Sequence, residues 1–143
     1  MDTQQNVTLL LEIFRAIEAR DEPRFAELCD PDFEILWPPS LPYGGSFRGL
    51  LPRSEGWGPT WAPLQPTEDE RRMDPRVIAA SDEEVVVLYR QRGVNRTGER
   101  FDGEVLGLYR VRRGKLVRAQ MFYFDTTEVA RFLAADDAPR RSF

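Results

Sequence analysis

The sequence predicts an α+β domain in which a curved, mostly antiparallel sheet wraps around N-terminal helices. The first observation is an apolar stripe, in which Leu10, Ile13, Phe14 and Ile17 lie on one side of a helix over residues 3–20. The second is a series of apolar or alternating segments in the second half of the chain, separated by turn residues, which is typical of an antiparallel meander. The candidate strands of this meander cover residues 69–80, 84–94, 100–112 and 115–125. The continuous apolar run over residues 84–90 is expected for a central strand covered on both faces. A long curved sheet of this kind leaves a space between itself and the helices.

Local signals place the remaining elements. Asp21 caps a second short helix, which Asp30-Pro31 ends because the residue before a proline is pushed out of the helical region. A short strand follows at residues 33–37, and a short broken helix is predicted over residues 49–58, where glycine and proline interrupt the pattern. The chain closes with a helix over about residues 126–135.

Length and charge restrict the class of protein. At 143 residues the chain fits a single domain, 1–143, with an ordered core over about residues 7–134. A net charge of −4 with scattered arginine pairs provides no basic surface for nucleic acid. The N-terminus is polar, and no apolar run reaches the roughly 18 residues that a membrane span requires. We therefore expect a cytoplasmic protein that binds neither nucleic acid nor membrane.

The composition also excludes several kinds of chemistry. There is no histidine, which rules out Ser-His-Asp and Cys-His catalysis, histidine-containing zinc sites and haem held by histidine. Cys29 is the single cysteine, so no intrachain disulfide can form, and its place on the buried side of the second helix indicates a small core side chain. No motif for a metal or an organic cofactor is present, and we expect none. Acid–base work must then fall to Asp, Glu, Tyr, Lys or Arg.

The stretch Lys115–Glu128 reads as a strand that runs directly into a helix, with Asp125 at the junction. Successive side chains of a strand point to opposite faces. The even positions include Arg118 and Gln120, which are costly to bury, whereas the odd positions are apolar until the row ends in Tyr123 and Asp125. The odd row is therefore predicted to face the interior, with a carboxylate at its end.

The turn at Arg113-Gly114 determines which residues of the preceding strand share a face with this odd row. A two-residue loop would bring Asp102 and Glu104 to the face that carries Asp125. A three-residue loop with a bulge would instead bring the alternate residues Gly103, Val105 and Tyr109. The sequence leaves both registers open.

Three stretches, in this order and spacing, resemble the SnoaL-like group of the NTF2-like superfamily over about residues 7–134. They are DPDFEILWPPSLPYGGSFRG, the strand turn RRGKL, and FYFDTTEV at the strand-to-helix junction. The resemblance implies a cone-shaped pocket between the helices and the concave sheet, frequent dimerisation, and binding of a small apolar or aromatic molecule. Members of this superfamily include polyketide cyclases, ketosteroid isomerases, epoxide hydrolases, dehydratases and proteins with no catalysis, so the fold alone does not determine the reaction.

The resemblance carries over unevenly to individual residues. Asp125 stands at the junction where SnoaL-like cyclases place their acid–base aspartate. Ketosteroid isomerases carry their general base on the first strand, where this chain has Leu36-Trp37-Pro38, and the substitution argues against that mechanism. The histidine and aspartate pair of the dehydratases is absent, because the chain has no histidine. The Asp-Arg-Asp constellation of epoxide hydrolases is not excluded.

Besides ligand binding without chemistry, two interpretations of Asp125 compete. In the first it is a carboxylate in an apolar pocket that exchanges a proton with a substrate carbon acid, while Tyr123 donates a hydrogen bond to the developing enolate. In the second it only caps the last helix, because Asp125-Thr126-Thr127-Glu128 matches the D-x-x-E relative of the capping box.

The resemblance thus implies a homodimeric protein that binds a small apolar or aromatic metabolite. Asp125 and Tyr123 are the candidates for cofactor-free acid–base catalysis of the cyclase or isomerase kind. The candidate ligand-binding residues are Trp37, Tyr43, Trp57, Trp61, Tyr89 and Met121, of which Tyr89 qualifies only if the odd face of its strand points inward. The alternative function is a non-catalytic ligand-binding or dimerisation module in which Asp125 is only a helix cap.

Overall fold

The computed structural model describes residues 2–49 and 63–137 of the chain. The described helices are α1 (Thr3–Ala19), α2 (Glu22–Leu28) and α3 (Thr126–Asp137). The described strands are β1 (Cys29–Trp37), β2 (Gly45–Arg48), β3 (Arg76–Ala80), β4 (Glu84–Val94), β5 (Arg100–Arg112) and β6 (Lys115–Tyr123). The helix predicted over residues 49–58 lies outside the described residues except for its first position.

Helix α1 begins at a complete capping box. The Asp2 carboxylate accepts a hydrogen bond from the Gln5 backbone N–H at 2.8 Å, and the Gln5 side chain accepts one from the Asp2 backbone N–H at 3.0 Å. The predicted apolar stripe faces the core, since Leu10, Ile13 and Phe14 are at most 1% exposed. The helix is therefore held at its N-terminus by polar contacts and along its length by apolar burial.

The strands form one six-stranded sheet in the order β2-β1-β6-β5-β4-β3. All neighbours are antiparallel except β1 and β6, which run parallel. The inner face carries the odd residues of β4 and β5, and helix α1 packs against it, with the Phe14 ring centroid 5.1 Å from that of Tyr89 and 5.9 Å from that of Tyr109. The predicted α+β class, with a mostly antiparallel sheet around N-terminal helices, is confirmed.

The first strand is longer than predicted. Helix α2 ends at Leu28, and β1 already begins at Cys29, which is a strand residue and not a helix residue. Cys29 is nonetheless buried, at 3% exposed, as expected. The register with β6 is irregular between Cys29 and Glu34, and Pro31, which has no N–H to donate to a ladder, lies in this irregular stretch.

Three further predictions about the strands were wrong in detail. Strand β3 begins at Arg76 instead of residue 69, because residues 67–72 form turns and Asp74 adopts a left-handed backbone conformation with φ 47° before Pro75. Strand β6 ends at Tyr123 instead of residue 125. Strand β4 was expected to be covered on both faces, but only its inner face is buried, and its outer residues are partly exposed.

The turn between β5 and β6 combines features of both predicted registers. Arg113 and Gly114 form a two-residue turn with φ of 53° and 75°. The register then shifts by one residue, because Val117 is an extra residue that forms a bulge in β6. Beyond the bulge the facing residues are Val105 with Tyr123, Gly107 with Met121 and Tyr109 with Ala119. A short turn followed by a bulge therefore produces the register that the sequence associated with a longer loop.

Candidate functional site

Two tyrosines from distant parts of the chain meet at the end of the sheet. Tyr43 lies in the loop after β1, and Tyr123 is the last residue of β6. Their hydroxyl oxygens are 2.6 Å apart, which is a short hydrogen bond. Tyr43 is buried, at 4% exposed, and Tyr123 is half-buried. The structure thus brings together two of the predicted site residues.

Trp37, the last residue of β1, completes an aromatic trio with Tyr43 and Tyr123. Its ring is edge-on to both tyrosines, with centroid distances of 5.3 Å to Tyr43 and 6.4 Å to Tyr123. Trp37 is 7% exposed. Edge-to-face contacts of this kind stabilise a pair by about 0.5–1.5 kcal/mol beyond the area that they bury. The aromatic trio is therefore a rigid wall that carries two hydroxyl groups.

The loop that carries Tyr43 is fixed by a close backbone approach at Gly44. The Gly44 N–H donates to the Leu41 carbonyl at 2.9 Å, and the Leu41 N–H donates to the Pro38 carbonyl at 3.1 Å. A Cβ at position 44 would lie 2.2 Å from the Pro38 oxygen, so only glycine fits this turn. The tight turn returns the chain towards β1 and holds Tyr43 beside Trp37.

Gln91, which the sequence analysis missed, joins the aromatic trio from the inner face of β4. It is 1% exposed, and its side chain lies beside the hydroxyls of Tyr43 and Tyr123, where it lowers the pKa of both. Its Oε1 atom is buried and has no hydrogen-bond partner among the described residues. The available signal was the alternation Val85, Val87, Tyr89, Gln91, in which a polar residue continues an inward apolar row.

The tyrosines of the aromatic trio are neutral hydrogen-bonding groups. Burial raises the pKa of Tyr43 above that of an exposed phenol, and the hydrogen bonds with Tyr123 and Gln91 offset part of this increase. Burial likewise raises the pKa of Tyr123, and the neighbouring Tyr43 raises it further. Both side chains therefore keep their protons near neutral pH and can donate a hydrogen bond, whereas neither can serve as a base.

A second pair of tyrosines extends the buried aromatic surface. Tyr89 and Tyr109 are 4% and 6% exposed and pack against Phe14 of α1. Burial raises the pKa of both hydroxyls, and a hydrogen bond with Tyr89 partly offsets the increase at Tyr109. The odd face of β4 points inward, so the condition set for Tyr89 is met. Met121, another predicted ligand-binding residue, is 4% exposed on the same inner face.

Asp125 lies outside this buried surface. It is exposed, and its Oδ1 atom accepts a hydrogen bond from the Glu128 backbone N–H at 3.1 Å at the start of α3. Strand β6 has already ended at Tyr123, so the alternation that placed Tyr123 and Asp125 on one face does not reach Asp125. The geometry is that of a helix N-cap, in which a side-chain oxygen satisfies an otherwise unpaired N–H group.

Trp57 and Trp61 lie outside the described residues. Within residues 2–49 and 63–137, no three His, Cys, Asp or Glu side chains are grouped so that they could hold a metal ion. None of the helices described is long and apolar enough to cross a membrane.

A charged cavity of about 430 Å³ lies where β4 ends and β5 begins, directly after Gln91 along β4. Two of its arginines are held by ion pairs, Arg92 with Asp74 at 2.8 Å and Arg100 with Glu70 at 3.4 Å. The cavity is lined by Asp69, Glu70, Arg72, Arg92, Gly93, Arg100, Phe101 and Asp102, and none of these is a predicted ligand-binding residue.

Comparison with known proteins assigns the family. The model of the SnoaL-like domain family matches residues 10–119, which is most of the chain. The chain belongs to the SnoaL-like family. The match begins within α1, ends within β6 and includes Trp37, Tyr43 and Gln91. No protein of curated function matches this SnoaL-like chain significantly.

Solved structures share the fold of this SnoaL-like domain. An NTF2-like protein from Burkholderia xenovorans LB400 is 21% identical, with a TM-score of 0.72 over 93% of this chain and 98% of that protein. A protein proposed to be a polyketide cyclase, from Xanthomonas campestris pv. campestris, is 18% identical, with a TM-score of 0.72 over 92% and 98% of the two chains. TerC, co-crystallised with polyporic acid, is 19% identical, with a TM-score of 0.68 over 91% and 98%. At these identities the likeness is one of fold.

Proposed function

We propose that this SnoaL-like domain binds a small aromatic molecule beside the aromatic trio, with the Tyr43–Tyr123 hydroxyls and the Gln91 amide holding a polar group of the ligand. The observation that carries this proposal is the buried Oε1 atom of Gln91, which lacks a hydrogen-bond partner among the described residues and lies near the hydroxyls of Tyr43 and Tyr123. Leaving a buried polar atom without a hydrogen bond costs about 1–3 kcal/mol. A ligand that supplies the missing hydrogen bond would recover this free energy.

The surrounding side chains favour an aromatic or otherwise apolar ligand body. Trp37, Tyr43, Tyr89 and Met121 together present rings and a thioether, which pack well against flat apolar groups. The ligand class is therefore an aromatic molecule that carries at least one hydroxyl or carbonyl group. This requirement holds whichever way the Gln91 amide is oriented, because the amide then presents either its oxygen or its NH₂ group to the ligand.

A second candidate function is cofactor-free catalysis of the cyclase or isomerase kind. It is favoured by the two neutral hydroxyls, since a positioned donor can stabilise a developing enolate by about 2.7–4 kcal/mol. The proton-transfer group would be Asp125, with Tyr123 as the donor. The exposed, capping position of Asp125 favours ligand binding over this reaction as the function of the domain.

The experiment that tests the binding proposal compares the same substitution on two faces of the sheet. Gln91→Met removes the amide from the inner face, and Gln120→Met removes an amide from the outer face of β6. With polyporic acid and 1-anilinonaphthalene-8-sulfonate as probes in isothermal titration calorimetry, we expect Gln91→Met to weaken binding about tenfold, the loss of one hydrogen bond. Gln120→Met should bind as the unmodified protein does. Equal affinities for the two variants, or no binding of either probe, would count against the proposal.

We also propose that the chain acts as a homodimer, as the resemblance to the family implies. Sedimentation equilibrium over a range of protein concentrations measures the mass directly. A mass equal to one chain at every concentration would refute this part of the proposal without affecting ligand binding.

A further inference from the structure

The charged cavity at the end of β4 is lined by acidic and basic side chains in equal number. The acidic ones are Asp69, Glu70 and Asp102, and the basic ones are Arg72, Arg92 and Arg100. The cavity volume of about 430 Å³ falls within the range of about 300–1,000 Å³ that small-molecule sites occupy. A ligand with a single sign of charge would therefore meet three side chains of its own sign.

Ion pairs already occupy part of this lining. A guanidinium nitrogen of Arg92 lies 2.8 Å from a carboxylate oxygen of Asp74, and another lies 3.5 Å from one of Asp102. A guanidinium nitrogen of Arg100 lies 3.4 Å from Oε1 of Glu70. Both arginines are thus paired with carboxylates, and the charges available to a ligand are those of the other lining groups.

Three polar groups of the charged cavity are available to a ligand. Oε2 of Glu70 is buried and has no hydrogen-bond partner among the described residues, and Glu70 as a whole is 8% exposed. Across the part of the chain that the structure describes, the side chains of Asp69 and Arg72 form no ion pair and no hydrogen bond. A buried carboxylate oxygen without a hydrogen-bond donor costs free energy, so Glu70 points to a ligand that donates.

Hydrogen bonds hold the segment that carries these groups against β4. The Gln65 N–H donates to the Arg92 carbonyl at 2.8 Å, and the Arg90 N–H donates to the Met73 carbonyl at 2.7 Å. The Arg92 guanidinium also donates to the Arg72 carbonyl. The segment is tied to β4 on both sides of the available groups. A site that is fixed in this way before binding loses less entropy when a ligand arrives.

We propose that the charged cavity binds a small zwitterion, a molecule that carries both an ammonium and a carboxylate group. The ammonium group donates to Oε2 of Glu70 and supplies the missing hydrogen bond. The guanidinium of Arg72 donates to the ligand carboxylate. Hydrogen bonds between charged groups are stronger than those between neutral groups, and the two together fix the orientation of the ligand. A free amino acid belongs to this class, and Phe101 lines the same cavity as an apolar wall for its side chain.

Other classes of ligand fit the lining less well. A simple anion would be held by Arg72 but would leave Oε2 of Glu70 without a donor. An organic cation would supply that donor but would gain nothing from Arg72. A metal ion requires several ligating side chains, and the described residues contain no suitable group of three His, Cys, Asp or Glu side chains.

This zwitterion site is separate from the proposed aromatic site. None of its lining residues belongs to the aromatic trio, and Gln91 is not among them. The inference therefore does not rest on the binding of an aromatic molecule, and each of the two proposals stands or falls by its own experiment.

Isothermal titration calorimetry of the full chain with L-leucine and 6-aminohexanoate tests the proposal. The two zwitterions differ in the spacing of their charges, and neither has a ring that would bind beside the aromatic trio. The comparison compounds are 3-methylbutylamine and 4-methylpentanoate, each of which is leucine without one of its charged groups. We expect at least one zwitterion to bind, and each single-charge compound to bind at least about tenfold more weakly.

Two variants test the assigned residues. Glu70→Gln keeps the shape of the side chain but removes its charge, and Arg72→Gln removes the charge that holds the ligand carboxylate. We expect the Kd of the zwitterion to rise about 10- to 100-fold in Glu70→Gln and about tenfold in Arg72→Gln. The matched controls are Glu68→Gln and Arg76→Gln, which remove the same charges from exposed side chains outside the cavity. Both controls should bind as the unmodified protein does.

Circular dichroism verifies that each variant is folded. Arg72 is exposed and forms no ion pair among the described residues, so Arg72→Gln tests the site even if Glu70→Gln does not fold. An unmodified protein that binds neither zwitterion would overturn the proposal. Equal affinity for a single-charge compound, or unchanged affinity in folded Arg72→Gln and Glu70→Gln, would overturn it as well.

Discussion

The ring of Tyr109 lies directly over Gly107, two residues earlier on the inner face of β5. A Cβ built on Gly107 would lie 2.3 Å from the Tyr109 hydroxyl oxygen and 2.4 Å from two ring atoms. Side chains of a strand lean along its direction, and here the missing side chain of the glycine makes room for the tyrosine. The absence of a side chain at Gly107 thus lets Tyr109 pack in the core.

We predict that Gly107→Ala destabilises the fold by about 1–3 kcal/mol, because the added methyl group forces the Tyr109 ring to move within a packed core. Urea unfolding followed by circular dichroism measures this free energy. When Gly107→Ala is made in the Tyr109→Leu variant, it should lower the free energy of unfolding by less, since the smaller side chain leaves room for the methyl group. An equal cost in both backgrounds would show that the ring is not the cause.

All four tyrosines of the sequence should resist ionisation in the folded protein. Burial raises the pKa of each of them, Tyr43, Tyr89, Tyr109 and Tyr123. In the unfolded chain phenols lose their protons at about pH 10, whereas the folded chain keeps them, so the unfolded state binds fewer protons above that pH. Stability should therefore fall as the pH rises above about 10.

The measurement is a spectrophotometric titration, with tyrosinate absorbance and circular dichroism recorded on the same sample. We expect tyrosinate to appear only as the folded signal disappears. Tyrosinate formation at about pH 10 with an intact circular dichroism spectrum would show that the hydroxyls are accessible in the folded state.

Asp125→Ala should lower the free energy of unfolding by about 1 kcal/mol, because it removes the oxygen that accepts the Glu128 N–H. Asp125→Asn should be nearly neutral, because asparagine is an equally good N-cap. Thermal unfolding of the unmodified protein and of these two variants measures the order of their stabilities. Loss of probe affinity in Asp125→Asn, with stability unchanged, would instead support a role of the carboxylate in the site.

Arg113→Asn should stabilise the protein by about 0.5–1 kcal/mol, because Arg113 has a φ of 53° in the turn and asparagine tolerates the left-handed region better. The matched control is Arg112→Asn, one residue earlier, where the backbone belongs to β5 and asparagine disfavours a strand. Chemical unfolding of both variants gives the comparison. A gain in both variants, or in neither, would contradict the explanation from turn geometry.

Much of the architecture could be predicted because it depends on local pattern. The stripe of Leu10, Ile13 and Phe14 requires a helix against a core, and the turn residues of the second half separate antiparallel strands. The inward direction of Met121 and Tyr123 followed from alternation alone. These features depend on the short repeat of side-chain directions in helices and in strands. A single sequence displays both repeats directly.

The features that could not be predicted from the sequence depend on contacts between distant segments. The bulge at Val117 leaves no mark in the sequence, yet it sets which residues of β5 face Tyr123. Gln91 was missed because the apolar run before it suggested a strand covered on both faces, whereas only one face is buried. Its role became visible only with Tyr43, which a loop brings to it from the other half of the chain.

The parallel pairing of β1 with β6 has a consequence for biosynthesis. Ile35 pairs with Ala119, so the neighbour of β1 in the centre of the sheet is made 84 residues later. Contacts so remote in sequence carry a large loop-closure cost and slow the folding of small domains. During translation β1 and β2 must wait as an isolated hairpin, which is at most marginally stable in water, until β6 has left the ribosome. The nascent chain therefore brings Trp37, Tyr43 and Tyr123 together only after β6 has left the ribosome.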